Sequence, residues 1–495
     1  MIQSVLVANR GEIAVRIMRT AREMGIRTVA VYSDADRTAP HVGAADEAYH
    51  LGGSAASESY LRGDALIRIA LSSGAQAIHP GYGFLAERSD FAAAVEAAGL
   101  VFVGPRSETI AAMGDKTEAR RRMASAGVPI VPGTKEALTS AEDARAAAAA
   151  IGYPVVLKAA AGGGGKGMRV VARVEDIASS FEAAGREAVN AFGDGSVYVE
   201  RYLERPRHVE VQLLGDQHGN VIHLGERECS IQRRHQKLVE EAPSPVLTPE
   251  ERAEMGTAAV RAAQAVDYVG AGTVEFLYDR GQFFFLEMNT RLQVEHPVTE
   301  HVTGLDLVEW QFRVASGEAI PWTQDEITLD GHSIECRITS ESPFDGFLPS
   351  TGTVRELSLP GGPGVRWDGG VARGTEVGLF YDPLLGKLIT WGPDRATAAA
   401  RMGRALGELE LGGIQSSIPL LQRIMEEEDF LRGDLSIRYL EEHPEILVAP
   451  DSETHGNVLA LVAAVLEDRV RKTGTPPRHG GRGRDLSNWQ RGLVP

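Results

Sequence analysis

Cysteine is scarce in this chain of 495 residues, which contains only Cys229 and Cys336. Their spacing fits neither a disulfide framework nor a thiolate metal site, so we expect a reducing compartment. Apolar runs of transmembrane length are missing as well, and residues 1–8 pass straight into a predicted strand. We therefore expect a cytoplasmic protein with no membrane partner.

Positive charge is also in short supply. The chain has 51 basic and 68 acidic residues, a formal net charge of −17. This balance argues against an extended surface for nucleic acid, although it leaves room for a local basic site. With 43% hydrophobic residues, the chain can build large cores and should divide into roughly three domains of about 150 residues.

The beginning of the chain has the pattern of a βαβ unit. A buried strand at 4–8 leads through Asn9-Arg10-Gly11-Glu12 into a helix, and Thr28 to Tyr32 form the next strand. Further alternation, through Ala75–His79 and Val101–Gly104, predicts a doubly wound parallel sheet that ends near residue 114. The first turn lacks the glycine fingerprint of dinucleotide-binding folds, so NAD is not predicted.

The rest of the chain alternates between predicted helices and strand-rich regions. Helices are expected at 115–130, 141–151, 176–190, 248–266 and 396–408. After Pro450 the composition shifts to one amphipathic helix at 454–471 and a Gly- and Arg-rich tail. The predicted segments are 1–114, 115–203, 204–331, 332–446 and 447–495.

Polar side chains recur at every second position directly after an apolar, aromatic strand. If the chain is extended there, its side chains alternate between two faces. One face would then carry two carboxylates, two amides and a guanidinium. These residues are Glu287, Asn289, Arg291, Gln293 and Glu295.

A hairpin is predicted immediately before this segment. The strand-like runs 273–278 and 283–287 are joined by the turn Asp279-Arg280-Gly281, which would set Glu275 opposite Glu287. Directly paired Cβ atoms lie roughly 4.5 to 5.5 Å apart, so these like charges need a cation. Carboxylates in phosphoryl-transfer sites typically hold Mg²⁺, and Asn289 offers a neutral oxygen. The alternative is an antiparallel edge with solvated carboxylates.

A run of glycines, Gly162–Gly167, is interrupted only by Lys166. The literal G-x-G-x-x-G match is weak evidence. Because Met168–Ala172 has the pattern of a strand rather than a helix, we predict a hairpin flap whose backbone N–H groups cover phosphates. Lys158, inside an apolar strand, favours an anion ligand. A hairpin without a ligand is the alternative.

The run Gln232-Arg233-Arg234-His235-Gln236-Lys237 concentrates positive charge on an acidic protein. It indicates anion binding, with a solvated loop as the alternative. His208 and His235, each taken alone, are more typical of structural histidines.

Together these motifs resemble the biotin carboxylase family over roughly residues 1–445. The residues that carry the resemblance are His79-Pro80-Gly81-Tyr82-Gly83-Phe84-Leu85, Met113-Gly114-Asp115-Lys116, Lys158 with the glycine loop, the run from Gln232 to Lys237, the segment from Glu287 to His296, and Glu335-Cys336-Arg337. Six separated motifs in the family's order make a chance match very improbable.

The resemblance implies an α/β (α+β) fold of the ATP-grasp type. It has a Rossmann-like parallel-sheet domain at the N-terminus, a small lid domain and a strand-rich C-terminal domain. Such enzymes use ATP, Mg²⁺ or Mn²⁺, and bicarbonate to carboxylate biotin. The chain contains no Ala-Met-Lys-Met around a biotinylated lysine, so biotin should arrive on a separate carrier protein. A carboxyltransferase partner and a homodimer are further expectations.

The resemblance also implies a role for each matching residue. ATP contacts are implied for Lys116, Lys158, Gly163, Gly164, Gly165, Lys166, Gly167, Glu200, Arg201, Tyr202, Leu203, His208, Gln232, His235, Glu275 and Glu287. The metal would be held by Glu275, Glu287 and Asn289. Bicarbonate would lie against Lys237, Arg291, Gln293 and Val294, with Glu295 as general base. Biotin would meet Tyr82, Arg337 and Asp382. The catalytic set is Lys237, Arg291, Glu295 and Arg337.

Other interpretations stay open. By spacing alone, Arg337 fits a structural ion pair with Glu335 or another carboxylate. Lys166 stands where some relatives have arginine, and lysine keeps the positive charge but lacks the two-pronged guanidinium that can bind a phosphate with two hydrogen bonds. Another ATP-grasp ligase, such as a carbamoyl-phosphate synthase or a purine-pathway carboxylase, would share the hairpin and the flap, and a non-catalytic scaffold is a third class. The final acceptor, an acyl-CoA such as acetyl-CoA or alternatively pyruvate, is not encoded in this chain.

Overall fold

The structure is a computed structural model that describes residues 1–134, 136, 138–159, 168–192, 196–234 and 236–449. Several predictions fall outside these ranges: the glycine-loop residues Gly163–Gly167 with Lys166, His235, and the helix and tail after residue 450. The side chain of Lys116 is not described either, although its backbone begins a helix.

The N-terminal region forms a five-stranded parallel sheet in the order β3-β2-β1-β4-β5, which confirms the predicted doubly wound architecture. The strands are β1 Ser4–Val7, β2 Arg27–Ser33, β3 Glu47–Gly52, β4 Ala77–His79 and β5 Val101–Phe102, and the helices between them are α1 Gly11–Glu23, α2 Pro40–Ala44, α3 Gly63–Ser72 and α4 Ser89–Ala97.

Alternation along β1 explains why this sheet is covered on both faces. Val5 and Val7 belong to one hydrophobic cluster with Ile13 of α1, whereas Leu6 belongs to another with Leu66 of α3. Because successive side chains of a strand point to opposite faces, the apolar run Val5–Val7 of β1 needs apolar partners on both faces.

A smaller antiparallel sheet follows, with the strand order β7-β6-β8. Its elements and the preceding helices are α5 Ser107–Gly114, α6 Lys116–Ser125, α7 Ala141–Ile151, β6 Val155–Ala159, β7 Met168–Val171, α8 Ile177–Phe192 and β8 Val197–Arg201. Strands β6 and β7 pair with Lys158 opposite Met168. The strands that flank the glycine-rich segment are therefore the two arms of a hairpin.

The largest element of the fold is an antiparallel sheet of eight strands, ordered β13-β12-β9-β10-β11-β14-β21-β19. Its first part consists of β9 Arg207–Gly215, β10 Val221–Arg233, β11 Gln236–Ala242, α9 Pro249–Gln264, β12 Gly270–Asp279, β13 Gln282–Asn289, α10 His296–Thr303 and α11 Leu307–Ala315.

The sheet continues past residue 331, where the sequence predicts a segment boundary. The remaining elements are β14 His332–Thr339, β15 Glu341–Ser342, β16 Leu348–Pro349, β17 Gly352–Thr353, β18 Glu356–Ser358, β19 Val365–Gly369, β20 Glu376–Val377, β21 Leu384–Gly392, α12 Arg395–Glu408, β22 Glu410–Gly412, α13 Ile418–Glu426, α14 Glu428–Arg432 and α15 Tyr439–Glu442. Strands β11 and β14 pair across that position.

Among the described residues, short 3₁₀ helices lie at Asp34–Asp36, Ala56–Glu58, Val174–Asp176, Gln324–Glu326 and Pro444–Leu447. Contacts group Met1–Leu447 as one unit and Val448–Pro495 as another. No helix within the described ranges is long and apolar enough to cross a membrane.

The structure corrects the sequence expectations in three places. The extended strand predicted through Glu287–Glu295 ends at Asn289, and Glu295 instead occupies the N-cap position of α10 without a side-chain capping hydrogen bond. Helices α10 and α11 occupy a region that was expected to be strands with one helix. The last part of the predicted strand-rich segment is helical, from α13 to α15. Apolar helix faces at these places resemble the spacing of short buried strands.

Helix α9 begins with a capping box. The Thr248 hydroxyl accepts from the Glu251 N–H at 3.2 Å, and the Glu251 carboxylate accepts from the Thr248 N–H at 2.9 Å. We expect Thr248→Ala to destabilise the protein by about 1 kcal/mol because one helix N–H loses its acceptor. The urea midpoint measures this loss.

Thr257→Ala in the same helix is the matched control, because the Thr257 hydroxyl only donates back to the Ala253 carbonyl at 2.7 Å. It should change stability by no more than about 0.5 kcal/mol. Equal midpoints for the two variants would contradict the assigned role of the cap.

Candidate active site

A cleft of about 1460 Å³ lies where residues of the N-terminal, three-stranded and eight-stranded sheets meet. Most of the predicted site residues with described side chains line it. They are Tyr82, Lys158, Glu200, Arg201, Tyr202, Leu203, His208, Gln232, Lys237, Glu275, Glu287, Asn289, Arg291, Gln293, Val294, Arg337 and Asp382. Glu295 does not line the cleft; it is fully buried behind this wall.

The predicted hairpin between β12 and β13 is present. Its turn places Arg280 and Gly281 at φ values of 49° and 80°, the left-handed pair that a two-residue hairpin turn requires. The register sets Glu275 opposite Glu287, as predicted, and Thr273 opposite Asn289. The hairpin therefore brings two carboxylates and an amide to one place.

Glu275 has contacts on both of its carboxylate oxygens. Its Oε2 lies 2.9 Å from His208 Nε2, and its Oε1 accepts from Asn289 Nδ2 at 2.8 Å. Carboxylate and amide oxygens are the ligands that a hard divalent cation prefers. The amide oxygen of Asn289 accepts from Arg291 at 3.2 Å, so holding a cation there requires that hydrogen bond to break.

Lys237 is the central cation of the wall. Its buried ammonium donates to Glu210 at 2.6 Å, to Glu275 at 3.0 Å and to Glu295 at 2.6 Å. A lysine has three N–H donors, and all three are used. Burial alone would lower the pKa of Lys237, but the three carboxylates together raise it. The side chain is therefore charged.

Glu295 is held as a carboxylate between cations. Arg337 donates to its second oxygen at 2.8 Å, opposite the oxygen that Lys237 contacts. Burial opposes ionisation, yet Lys237, Arg337 and Arg227 outweigh it and hold the pKa of Glu295 well below its usual range. A carboxylate with no solvent exposure thus stays ionised.

Arg337 also contacts Glu240, at 2.5 Å. The alternative of a structural ion pair is therefore realised in part, with Glu240 and Glu295 as partners rather than Glu335. Burial, together with the charge of Glu295, raises the pKa of Glu240 to about 7, although Arg337 opposes this shift. Close by, Lys387 donates to the carbonyl oxygen of Val294 at 2.6 Å.

Arg291, Asn289 and Gln293 lie together although the chain is no longer extended. Arg291 donates to Glu87 at 2.9 Å and to Gln293 at 3.3 Å, in addition to its bond to Asn289. Hydrogen bonds from the Arg291 guanidinium, rather than alternation along a strand, thus hold these three side chains together.

Two of the predicted nucleotide residues, Lys158 and Glu200, form an ion pair. Lys158 donates to Glu200 at 2.5 Å, and Arg120 contacts the other oxygen of the same carboxylate. Burial opposes ionisation of Glu200, but Lys158 and Arg120 lower its pKa. Lys158, 41% exposed at its side chain, borders the cleft.

The predicted biotin residues Tyr82, Arg337 and Asp382 also line the cleft. The Tyr82 hydroxyl donates to Glu12, and the Asp382 carboxylate accepts from the Leu384 N–H at 2.9 Å. Both side chains line the same cleft as Arg337.

Several residues of the wall were missed by the sequence analysis. The fully buried Arg227 donates to Glu210 at 2.5 Å and to Gln212 at 2.6 Å, and it supports the carboxylates from below. The signal for Glu210 was present: His208, Glu210 and Gln212 alternate along β9 as the residues of the metal hairpin do. Lys387, inside an apolar strand, carried the same signal as Lys158.

Three family models cover most of the chain. They are "Biotin carboxylase, N-terminal domain" at 1–110, "Carbamoyl-phosphate synthase L chain, ATP binding domain" at 115–323, and "Biotin carboxylase C-terminal domain" at 335–442. Biotin carboxylase of Nostoc sp. is 53% identical and aligns with 88% of this chain and 98% of its own. The chain belongs to the biotin carboxylase family.

Other relatives in the family carry different names. A pyruvate carboxylase subunit of Methanothermobacter thermautotrophicus is 52% identical over 90% of each chain. The biotin carboxylase domain dimer of the Hydrogenobacter thermophilus 2-oxoglutarate carboxylase, solved with MgADP, ADP and bicarbonate, matches with a TM-score of 0.82 and 50% identity. That match covers 91% of this chain and 100% of the solved one.

The resemblance found in the motifs, the ATP-grasp fold and the assignment as an ATP-dependent carboxylase of the ligase class are thereby confirmed. The segment at 115–323 shares its model with carbamoyl-phosphate synthases, as the alternative interpretation anticipated, but both flanking segments match biotin carboxylase models.

Lys237→Met should destabilise the protein by about 3–5 kcal/mol near neutral pH because it removes the cation that three buried carboxylates share. Lys237 lowers the pKa of Glu275 and Glu295 below the ordinary 4.5. The stability that it provides is therefore present above about pH 4.5 and is lost as the pH falls through the folded-state values. The penalty in Lys237→Met should shrink in acid.

Urea unfolding at several pH values measures this dependence. Arg313→Met is the matched control, because Arg313 forms partly exposed ion pairs with Glu309 and Glu318, and it should cost no more than about 1 kcal/mol. A Lys237→Met penalty as small as this control, or one that does not change with pH, would refute the central role of Lys237.

Proposed function

We propose that the protein catalyses the carboxylation of biotin carried on a separate protein, with ATP and bicarbonate as co-substrates. One observation carries this proposal: a fully buried carboxylate, Glu295, is held ionised between Lys237 and Arg337 beside a cleft lined by the predicted nucleotide residues. Relatives named for the same half-reaction, and a related domain solved with MgADP and bicarbonate, support it.

ATP is assigned to the end of the cleft that contains Lys158, Glu200–Leu203, His208 and Gln232. Its phosphates would replace Glu200 as the partner of Lys158, because an ammonium at the cleft surface can turn to a stronger anion. Lys116, Gly163–Gly167 with Lys166, and His235 complete the assignment as predictions from the resemblance.

A divalent metal, Mg²⁺ or Mn²⁺, would be held by Glu275, Glu287 and Asn289. The donor set fits because it offers two carboxylates in register and one amide oxygen. The metal would offset charge on the ATP phosphates. Glu275 and Asn289 would exchange their present contacts with Lys237 and Arg291 for it, which releases both cations toward an anionic substrate.

Bicarbonate would occupy the place that these cations face, against Lys237, Arg291, Gln293 and Val294. Removal of its proton by Glu295 makes it a better nucleophile toward the γ-phosphorus of ATP, with carboxyphosphate and ADP as products. The low pKa of Glu295 is set by Lys237 and Arg337. Its basicity must therefore rise when these cations turn to the substrates.

Biotin would lie between Tyr82, Arg337 and Asp382. Carboxyphosphate breaks down to CO₂ and phosphate, and the phosphate takes the proton from N1′ of biotin. Negative charge then spreads to the ureido oxygen, where a guanidinium such as that of Arg337 lowers the barrier. Lys237, Arg291, Glu295 and Arg337 are thus the proposed catalytic residues.

The wider assignment is that of a cytoplasmic homodimer that works with a biotin carrier protein and a carboxyltransferase. We propose an acyl-CoA, acetyl-CoA or a related thioester, as the final acceptor, which would link the protein to fatty acid synthesis. The similarity to the alpha chain of a methylcrotonoyl-CoA carboxylase from Dictyostelium discoideum is consistent with an acyl-CoA acceptor.

A keto acid is the second candidate acceptor. The observation in its favour is the similarity to the pyruvate carboxylase relative, 52% identical, and to the small subunit of a 2-oxoglutarate carboxylase, 49% identical over 94% of this chain. Mass spectrometry of co-purified subunits, followed by assays with acyl-CoA and keto acid acceptors, separates the two. We expect carboxylation of an acyl-CoA; carboxylation of a keto acid alone would overturn that choice.

Free biotin should stimulate bicarbonate-dependent ATP cleavage, and Glu295→Gln should lower this activity by about 10²- to 10⁴-fold because the general base is lost. ATP binding, measured by calorimetry, should stay close to that of the wild type. Glu254→Gln, an exposed change on α9, is the matched control. Near-normal turnover in Glu295→Gln would contradict the role of Glu295 as general base. Stimulation of ATP cleavage by ammonia instead of biotin would contradict the proposed reaction.

A further inference from the structure

Four ionisable side chains form two pairs of like type at the Arg337 side of the cleft. In the register of β11 and β14, Glu240 stands opposite Glu335. In the register of β14 and β21, Arg337 stands opposite Lys387. Directly opposite Cβ atoms lie about 4.5–5.5 Å apart, and like charges at that distance destabilise a sheet. One member of the carboxyl pair therefore needs to lose its charge.

Glu335 is the member without partners. It has no solvent exposure, and among the described residues no donor lies within hydrogen-bond distance of either of its carboxyl oxygens. Glu240, by contrast, accepts from Arg337 through Oε1. A buried carboxylate that is ionised and lacks hydrogen bonds costs several kcal/mol, so such a group keeps its proton.

Charged groups from every neighbouring element act on Glu335. Burial, followed by Glu240 on β11 and Glu295 before α10, raises its pKa well above the usual range, against the opposing effects of Lys387 on β21 and Arg337 on its own strand. Tyr82, which follows β4, is coupled to it as well. Lys387 is directed elsewhere, toward Val294 and Glu12.

We propose that Glu335 is a protonated, neutral carboxylic acid at neutral pH and acts as a positioning residue for Arg337. The inference rests on the proposed function, in which Arg337 contacts the ureido oxygen of biotin. When Arg337 turns to biotin, Glu240 loses its donor. The O–H of Glu335, across the strand pair, then donates to Glu240 in its place.

The protonation state of Glu335 decides how easily Arg337 is released. An ionised Glu335 would add a further carboxylate beside Arg337 and would offer Glu240 no proton. Two carboxyl groups that share one proton avoid both effects. Ionisation at alkaline pH should therefore weaken the affinity for biotin and leave that for ATP unaffected.

Glu335→Gln tests this, because glutamine stays neutral at every pH and still donates through its N–H₂ group. We expect the KM for free biotin in the wild type to rise several-fold, up to about tenfold, from neutral to alkaline pH. This rise should be absent in Glu335→Gln, while the KM for ATP follows the same course in both proteins. The same alkaline rise in both proteins would overturn the proposal.

Glu335→Leu removes both the charge and the donor. We expect Glu335→Leu to raise the KM for biotin at every pH, because Glu240 is left without a donor. Glu335→Gln should not raise this KM, because its amide still donates. Equal effects of the two variants at neutral pH would indicate packing instead of proton donation and would also overturn the proposal. The control Glu254→Gln should follow the wild type throughout.

Infrared spectroscopy tests the protonation without any assay of activity. The spectrum of the wild type minus that of Glu335→Gln at neutral pH should show the carbonyl band of a protonated carboxylic acid. A carboxylate band in its place would overturn the inference. If Glu335→Gln does not fold, Glu335→Asp takes its place in the comparison. Because Glu335→Asp keeps a carboxyl group, its carboxylic acid band should be shifted relative to that of the wild type. Absence of biotin-stimulated turnover in the wild type would overturn the proposed function, whereas the infrared result would still stand.

Discussion

The balance of buried charge around Lys237 is the constraint on which the rest of the site depends. Lys237 on β11 binds Glu210 on β9, Glu275 on β12 and Glu295 at the start of α10. Four elements of the fold therefore meet at one ammonium group. A buried set of charges is expensive to desolvate and is seldom the cheapest way to stabilise a core. Its retention here is consistent with a site built to exchange these partners for charged substrates.

The eight-stranded sheet makes this arrangement possible. Alternation directs Glu210 of β9 and Glu275 of β12 to one face, where both accept from Lys237 of β11. Arg227 is buried beside these residues and donates hydrogen bonds to Glu210, Gln212, Thr273 and Thr299. The same strands place apolar residues on the opposite face, such as Val211 and Val274 in a buried cluster. One pattern of alternation thus builds both the core and the reactive wall.

Local signals in the sequence predicted the elements that local interactions determine. The hairpin with Glu275 opposite Glu287 was predictable because Asp279-Arg280-Gly281 specifies a tight turn. The strand beyond Asn289 was predicted wrongly, although Pro297 in the first turn of α10 is a signal for a helix start. Lys237 and Glu295 are 58 positions apart. Their contact depends on the strand order of the sheet, which no short pattern encodes.

The salt bridge between Arg337 and Glu295 has a consequence for when ATP is cleaved. In the proposed reaction, one partner of this ion pair is the base for bicarbonate and the other is the cation for biotin. While they neutralise each other, the base is weak and the cation is occupied. In that reaction, arrival of biotin would draw Arg337 away and thereby strengthen the base. A single salt bridge would in this way synchronise the two steps, so that ATP is cleaved chiefly when an acceptor for the carboxyl group is present.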